Sequence, residues 1–223
     1  MNDGSLAVSE LFYSIQGEST RAGLPCAFIR LAGCNLRCRY CDSAYTWEGP
    51  GTRIAIADIM QWLGQYPGVL VELTGGEPLL QEQIYPLLDE LLASGRTVLI
   101  ETNGSLPVTR IPGAVSLILD LKCPGSGMAE QTDWHNLALL AKRNSSGSRD
   151  EIKFVLSSEE DYAWAREIIA RHRLAGLAPL LLSPVAGLLA PARLAELMLR
   201  DRIPARLQMQ LHRAIWPDRP RGV

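Results

Sequence analysis

The chain has 223 residues, 47% hydrophobic and 21% charged, with 22 basic against 24 acidic side chains and a formal net charge of −2. That is ordinary globular composition, of a length that one α/β domain of about 200–250 residues can use up, and residues 1–223 are expected to form a single domain. The charge balance excludes the basic field that holds a phosphate backbone, so no nucleic-acid partner is expected.

The N-terminal Met1-Asn2-Asp3-Gly4-Ser5 shows no basic and apolar export signal, which points to the cytoplasm. Beyond it, apolar and β-branched runs alternate with stretches of helical period, the pattern of strands joined by crossover helices in a parallel sheet. In chain order, strands are predicted at Ala27–Leu31, Val69–Leu73 and Thr97–Ile100, with a helix Ile84–Ala93 whose Leu87, Leu88, Leu91 and Leu92 share a face. Strands Leu117–Leu121 and Ile152–Leu156 follow, then a helix Glu159–Arg171 started by Ser158 as N-cap, with Asp161 three residues on. His135 and His172 fall on predicted helices as solvated residues, and Asn144-Ser145-Ser146-Gly147-Ser148 reads as a flexible loop. The last elements are a strand Leu180–Leu182, a helix Ala192–Leu199 behind Pro191, and a strand Leu207–Gln210. The uncharged stretch between Arg173 and Arg193 approaches the length of a membrane span. Gly176, Pro179, Pro184, Gly187 and Pro191 interrupt it, so no span is expected.

Ligands of parallel sheets sit beyond the carboxyl ends of the strands, and there the chemistry collects. Gly33-Cys34, Thr74-Gly75-Gly76-Glu77-Pro78, Glu101-Thr102-Asn103-Gly104 and Asp120-Leu121-Lys122 follow the first four predicted strands, and Ser183-Pro184 and Gln210-Leu211-His212 the last two. Five cysteines without an export signal argue for metal or catalytic use rather than disulfides. Cys34, Cys38 and Cys41 form a C-x3-C-x2-C run in a loop, where three thiolates can converge on one soft-metal centre. A structural zinc would need a fourth ligand, and neither Cys26 nor Cys123 completes a familiar spacing. Three cysteines on a 4Fe-4S cluster would leave one iron open to a cofactor.

This run, with Tyr40 before its last cysteine, resembles the signature of the radical S-adenosylmethionine family, and Gly75-Gly76-Glu77-Pro78 resembles the family's second hallmark. The resemblance implies an α/β fold, a partial (β/α) barrel of about six mostly parallel strands, with a cluster loop at 33–47 and a C-terminal tail at 213–223. It implies a 4Fe-4S cluster on Cys34, Cys38 and Cys41, with S-adenosylmethionine held near Tyr40, Cys41, Asp42, Gly76, Glu77, Glu101 and Asn103. The Asp120-Leu121-Lys122 step and the loop of Ser183, Pro184, Val185 and Ala186 are further cofactor contacts by the same resemblance. No side chain is expected to be the catalyst, because the radical arises on the cofactor.

Ser14-Ile15-Gln16-Gly17-Glu18, Arg30 and Cys41-Asp42-Ser43 further resemble members that convert 6-carboxy-5,6,7,8-tetrahydropterin to 7-carboxy-7-deazaguanine and ammonia, on the route to queuosine. That implies pterin contacts from Ile15, Gln16, Gly17, Glu18, Arg30, Thr74 and His212, and magnesium on Ser43. The family also implies a homodimer and an external one-electron donor such as flavodoxin. Arg30 offers a planar fork for a carboxylate, and magnesium takes few protein ligands beside substrate and water. Ser43 stands where Thr is commoner, and Ser19 where Gly is, which places a side chain in a strained turn. A glycyl-radical activase and a non-catalytic zinc-binding module are the alternative readings.

Overall fold

A computed structural model describes residues 4–147, 149–219 and 221–223; Met1–Asp3, Ser148 and Pro220, and the readings that touch them, lie outside the described residues. Among the described residues nine strands occur: β1 Ser5–Ile15, β2 Pro25–Leu31, β3 Thr52–Ala55, β4 Leu70–Gly75, β5 Val98–Thr102, β6 Ser116–Asp120, β7 Glu151–Leu156, β8 Leu180–Pro184 and β9 Arg206–Leu207. They form one sheet in the order β3-β1-β2-β4-β5-β6-β7-β8-β9. Every pairing from β2 to β9 is parallel, and β1 joins antiparallel to both β2 and β3. The expectation of about six strands is therefore too low. The two extra strands at the β3 edge are antiparallel, and their period-2 signal is weak for a physical reason. β1 carries a register shift between Val8 and Glu10, which throws its alternation out of phase, and β3 is only four residues long.

The helices are α1 Tyr45–Glu48, α2 Ile56–Leu63, α3 Ile84–Ala93, α4 His135–Ser145, α5 Glu159–Arg171, α6 Pro191–Asp201 and α7 Leu211–Ile215. β6 and β8 are buried along their whole length, as strands covered on both faces must be. The larger core packs Leu87, Leu88 and Leu91 of α3 and Tyr162, Ala165 and Ile168 of α5 against the sheet. Each leucine and isoleucine among them contributes about 1.5–3 kcal/mol on burial. Phe12, Cys26, Phe28, Leu70, Leu99 and Ile118 form a second, smaller cluster, with the Phe12 and Phe28 rings stacked at 4.7 Å.

α3 and α5 keep their predicted bounds. Ser158 Oγ accepts the Asp161 N–H at 3.3 Å, as an N-cap does. The Asp161 carboxylate does not close a capping box. It accepts from Ser157 Oγ at 2.6 Å and from Gly125 N at 2.7 Å, tying the loop after β6 to the start of α5. Asn144 and Ser145, expected in a flexible loop, belong to α4, and the Asn144 amide donates to Leu177 O at 2.7 Å and accepts from Asp150 N at 3.1 Å. His135 is exposed at the start of α4, whereas His172 caps α5 half-buried and stacked on Trp134 at 4.8 Å. The uncharged stretch 174–192 divides into a 3₁₀ turn, β8 and the start of α6, and among the described residues no helix is long and apolar enough to cross a membrane.

Two segments place the site. The loop 16–24 packs against the amino ends of β6 and β7, where Glu151 accepts from Thr20 N at 3.0 Å and Ser116 Oγ from Arg21 at 3.3 Å. Its Ser19 adopts φ +63°, a left-handed conformation that costs a non-glycine residue about 1–2 kcal/mol. The Ser19 hydroxyl offsets part of that by accepting Arg21 N at 3.0 Å. At the other end, β9 stops two residues after it starts, instead of running to Gln210. Gln208 N still donates to Leu182 O at 2.8 Å, and the chain then turns across the carboxyl ends of the strands.

Candidate active site

One cavity of about 250 Å³ opens at the carboxyl-end face, walled by the loops after β1, β2, β4, β5 and β6 and by the C-terminal segment. Cys34, Cys38 and Cys41 all line it. Their loop is pinned at several points: Gly33 N donates to Thr46 O at 2.7 Å, Arg39 N to Ser126 O at 3.0 Å, and Tyr40 Oη to Val155 O at 2.9 Å. Cys34 Sγ accepts from Leu36 N at 3.4 Å and lies 3.8 Å from Asn103 Nδ2. Burial pushes the Cys34 and Cys38 thiols above their ordinary value.

The Gly75-Gly76-Glu77-Pro78 turn presses on this loop. Gly76 N donates to Leu31 O at 3.1 Å and Glu77 N to Gly33 O at 2.8 Å. A Cβ on Gly76 would stand 1.9 Å from Gly33 O and 2.9 Å from Cys34 Cβ, so only glycine lets the two backbones meet. Gly75, at φ +133°, has Leu31 O where its Cβ would go. Gly76 borders the cavity, but the Glu77 side chain does not. It is fully buried and spent inside the protein, accepting from Leu79 N at 2.9 Å, Thr102 Oγ1 at 2.9 Å and Asn103 N at 2.8 Å. Glu77 thereby clamps the loops after β4 and β5 together.

At the end of β6, Lys122 Nζ donates to Asp120 Oδ2 at 2.6 Å, and both line the cavity. Burial works to lower the Lys122 ammonium, and the Asp120 carboxylate overcomes this and holds it above its ordinary value. The buried Asp120 Oδ1 has no hydrogen-bond partner, an acceptor open to a cofactor's amino or hydroxyl groups. Leu121 packs in the core, and Ser183, Pro184, Val185 and Ala186 lie outside the cavity wall, so those five expected contacts are not brought to the site.

On the opposite wall, Arg30 donates Nε to Glu10 Oε1 at 2.7 Å, and Tyr45 Oη donates to the same oxygen at 2.7 Å. Ser43, whose Oγ donates to Asp42 Oδ1 at 2.8 Å, borders the cavity beside them, as do Thr74 and Ile15. Gly17 has His212 Nδ1 2.5 Å from where its Cβ would be, which lets His212 of α7 pack on the Gln16 loop. Burial pushes His212 below its ordinary value, favouring the neutral ring. Gln210 Nε2 bridges Glu18 Oε1 at 2.9 Å and Asp42 Oδ2 at 3.2 Å. The described tail residues 213–219 and 221–223 cover this side: Arg221 stacks on Tyr45 at 3.9 Å, and Gly222 N donates to Glu10 Oε2 at 3.2 Å.

Below these lies a buried charge cluster of Glu18, Glu72, Glu101 and Lys153. Lys153 of β7 touches Glu18 Oε2 and lies 2.8 Å from Glu101 Oε1. Gln16 Nε2 makes a short hydrogen bond to Glu72 Oε2. Burial, reinforced by the charges of Glu101 and Glu18, pushes Glu72 well above the ordinary carboxylate range, which favours its protonated form. Glu10, Tyr45, Glu72 and Lys153 went unread in the sequence; they sit in β1, β4, β7 and a short helix, outside any local motif.

The donor set fits an iron–sulfur cluster with one open iron. Three thiols face the cavity, while Cys26 and Cys123 are buried outside it and supply no fourth ligand. Among the described residues no three His, Cys, Asp or Glu side chains are gathered closely enough to hold a single metal ion.

Residues 28–126 match the model of the radical SAM superfamily. The 7-carboxy-7-deazaguanine synthase of Chlorobaculum tepidum is 48% identical over 99% of both chains, and that of Koribacter versatilis 40% identical over 98% of this chain and all of the other. A crystal structure of QueE from Escherichia coli superposes with a TM-score of 0.73 at 25% identity, covering 92% of this chain and 94% of that one.

Proposed function

The chain belongs to the 7-carboxy-7-deazaguanine synthase family of radical SAM enzymes, and from that premise we propose that it converts 6-carboxy-5,6,7,8-tetrahydropterin to 7-carboxy-7-deazaguanine and ammonia. The observation that carries this reading is the meeting of Cys34, Cys38 and Cys41 with Arg30 and Glu18 around one cavity. Cys34, Cys38 and Cys41 would hold the 4Fe-4S cluster; Asp120, Lys122, Asn103, Tyr40, Asp42 and the Gly76 backbone would hold S-adenosylmethionine. When bound, cluster and cofactor supply the radical that takes hydrogen from the substrate.

The chain's own part is binding, orientation and exclusion of water. Arg30, fixed through Nε by Glu10, turns its terminal nitrogens to the pterin carboxylate. Glu18 and His212 face the ring, with Thr74 and Ile15 beside them. Gln16 borders the cavity as well and braces the loop, its oxygen accepting Glu18 N at 2.9 Å and its nitrogen binding Glu72. Ser43 is our candidate ligand for magnesium shared with substrate and water. Glu101, tied to Lys153, borders the cofactor side. A flavodoxin-type electron donor, a homodimer, a cytoplasmic location and a single domain over 1–223 complete the proposal.

The test is pterin-dependent formation of 5′-deoxyadenosine by anaerobically reconstituted protein. Stimulation by the carboxytetrahydropterin, lost in Arg30→Ala, is the expected result. Cofactor cleavage indifferent to both the pterin and Arg30 would favour an activase that acts on a protein backbone.

A further inference from the structure

Lys153 belongs to no motif, yet it stands at the centre of the site's buried charges. It is the third residue of β7, its side chain is only 6% exposed, and its ammonium lies between carboxylates from two other elements, Glu18 after β1 and Glu101 at the end of β5. We propose that Lys153 is a specificity-determining positioning residue, fixing the Glu18 carboxylate as an acceptor that faces the aminopyrimidinone edge of the pterin. The inference rests on the pterin reading above and adds how that edge is distinguished from its oxo analogues.

Glu18 is the free reader of the Gln16 loop. Each end of the Gln16 amide holds one protein partner, Glu72 at the nitrogen and Glu18 N at the oxygen. Glu18 Oε1 takes one hydrogen bond, from Gln210, while its buried Oε2 touches the Lys153 ammonium without a well-directed hydrogen bond. That leaves an acceptor position on Oε1 at the cavity wall, and the ionised carboxylate itself offers no donor. A pterin presents donors on this edge, the 2-amino group and N3–H, and the amino group can donate to that oxygen. A lumazine presents a 2-oxo group in place of the amine, and a carboxylate repels it.

Lys153 keeps the carboxylate in that role. Burial works to raise the Glu18 carboxyl, and the Lys153 charge overcomes it and holds Glu18 below its ordinary value. The other groups facing it are Asp42, Glu101, Glu72 and His212. Without Lys153, three buried carboxyls would share this space with no cation among them, and Glu18 would take up a proton. A protonated Glu18 can donate to a 2-oxo group as well as accept from an amine, so discrimination collapses.

The experiment is equilibrium dialysis of 6-carboxypterin and 6-carboxylumazine against the reconstituted full chain with S-adenosylmethionine, for the natural protein, Lys153→Met and Lys153→Arg. The natural protein is expected to prefer the pterin by about ten- to a hundredfold, the worth of a charge-assisted hydrogen bond gained against one lost. Lys153→Met should reduce the preference to within about threefold, chiefly by losing pterin affinity, and Lys153→Arg should restore part of it. If Lys153→Met does not fold, Lys153→Met/Glu101→Gln removes the charge pair together and carries the same comparison. A variant that keeps the full preference and loses only thermal stability overturns the inference and leaves the pterin reading intact. A natural protein that binds neither ring overturns both.

Discussion

Replacing Gly76 by alanine tests the contact between the glycine turn and the cluster loop. The new methyl would lie 1.9 Å from Gly33 O and 2.5 Å from Gly33 C, both backbone atoms that no rotamer change can move aside. Restoring ordinary contact at roughly 3.4 Å requires the turn and the cysteine loop to part by more than about 1 Å. Overpacking of this kind costs about 1–3 kcal/mol, or a Tm lower by roughly 3–10 °C for a chain of this size. A displacement of about 1 Å at reacting groups can cost about a hundredfold in rate. The assay pairs thermal unfolding with product formation at saturating substrates. Gly176→Ala, where a Cβ meets nothing within 4 Å, is the control and should change little. A Gly76→Ala protein with Tm within about 1 °C and turnover within about twofold of the natural protein would refute the packing argument.

Arg143→Met strips the cation from Asp150, whose side chain is fully buried and receives Arg143 Nε at 2.7 Å beside the Leu117 N–H at 2.9 Å; a loss of about 3–5 kcal/mol in denaturant unfolding is expected, and Arg143→Met/Asp150→Asn should recover part of it. Ser158→Ala removes the cap of α5 and should cost about 1 kcal/mol by the same measurement. Glu72→Gln tests the proton on Glu72. Because the folded protein raises this group above its ordinary 4.5, the stability it contributes is full below that pH and is lost as pH rises toward the folded value. The variant should therefore gain on the natural protein as pH climbs from about 5 to 9. A difference constant across that range would contradict the assignment.

Local patterns carried much of this fold, and long-range pairings carried what was missed. α3 and α5 were legible to the residue because each has an uninterrupted apolar face. β1 was not, since the shift at Val8 and Glu10 breaks the period on which strand reading depends. The three cavity-facing cysteines were readable because they lie within a few residues of one another in one loop, and Gly76 because it belongs to a Gly-Gly-Glu-Pro run. Glu77 and Gln16 were readable as residues but not as clamp and brace, because their partners come from elsewhere in the chain, Asn103 from the loop after β5 and Glu72 from β4. Lys153 reads as an ordinary strand residue until β7 comes to face the loop after β1. No local signal announces a cation whose two anions arrive from β1 and β5.

The central claim is tested most directly by incubating the reconstituted protein anaerobically with S-adenosylmethionine, a strong reductant and 6-carboxy-5,6,7,8-tetrahydropterin, and following products by mass. A 7-carboxy-7-deazaguanine peak with its ammonia, absent in Cys38→Ala, is the predicted result. A protein loaded with its cluster that cleaves the cofactor and leaves the pterin unchanged would contradict the account.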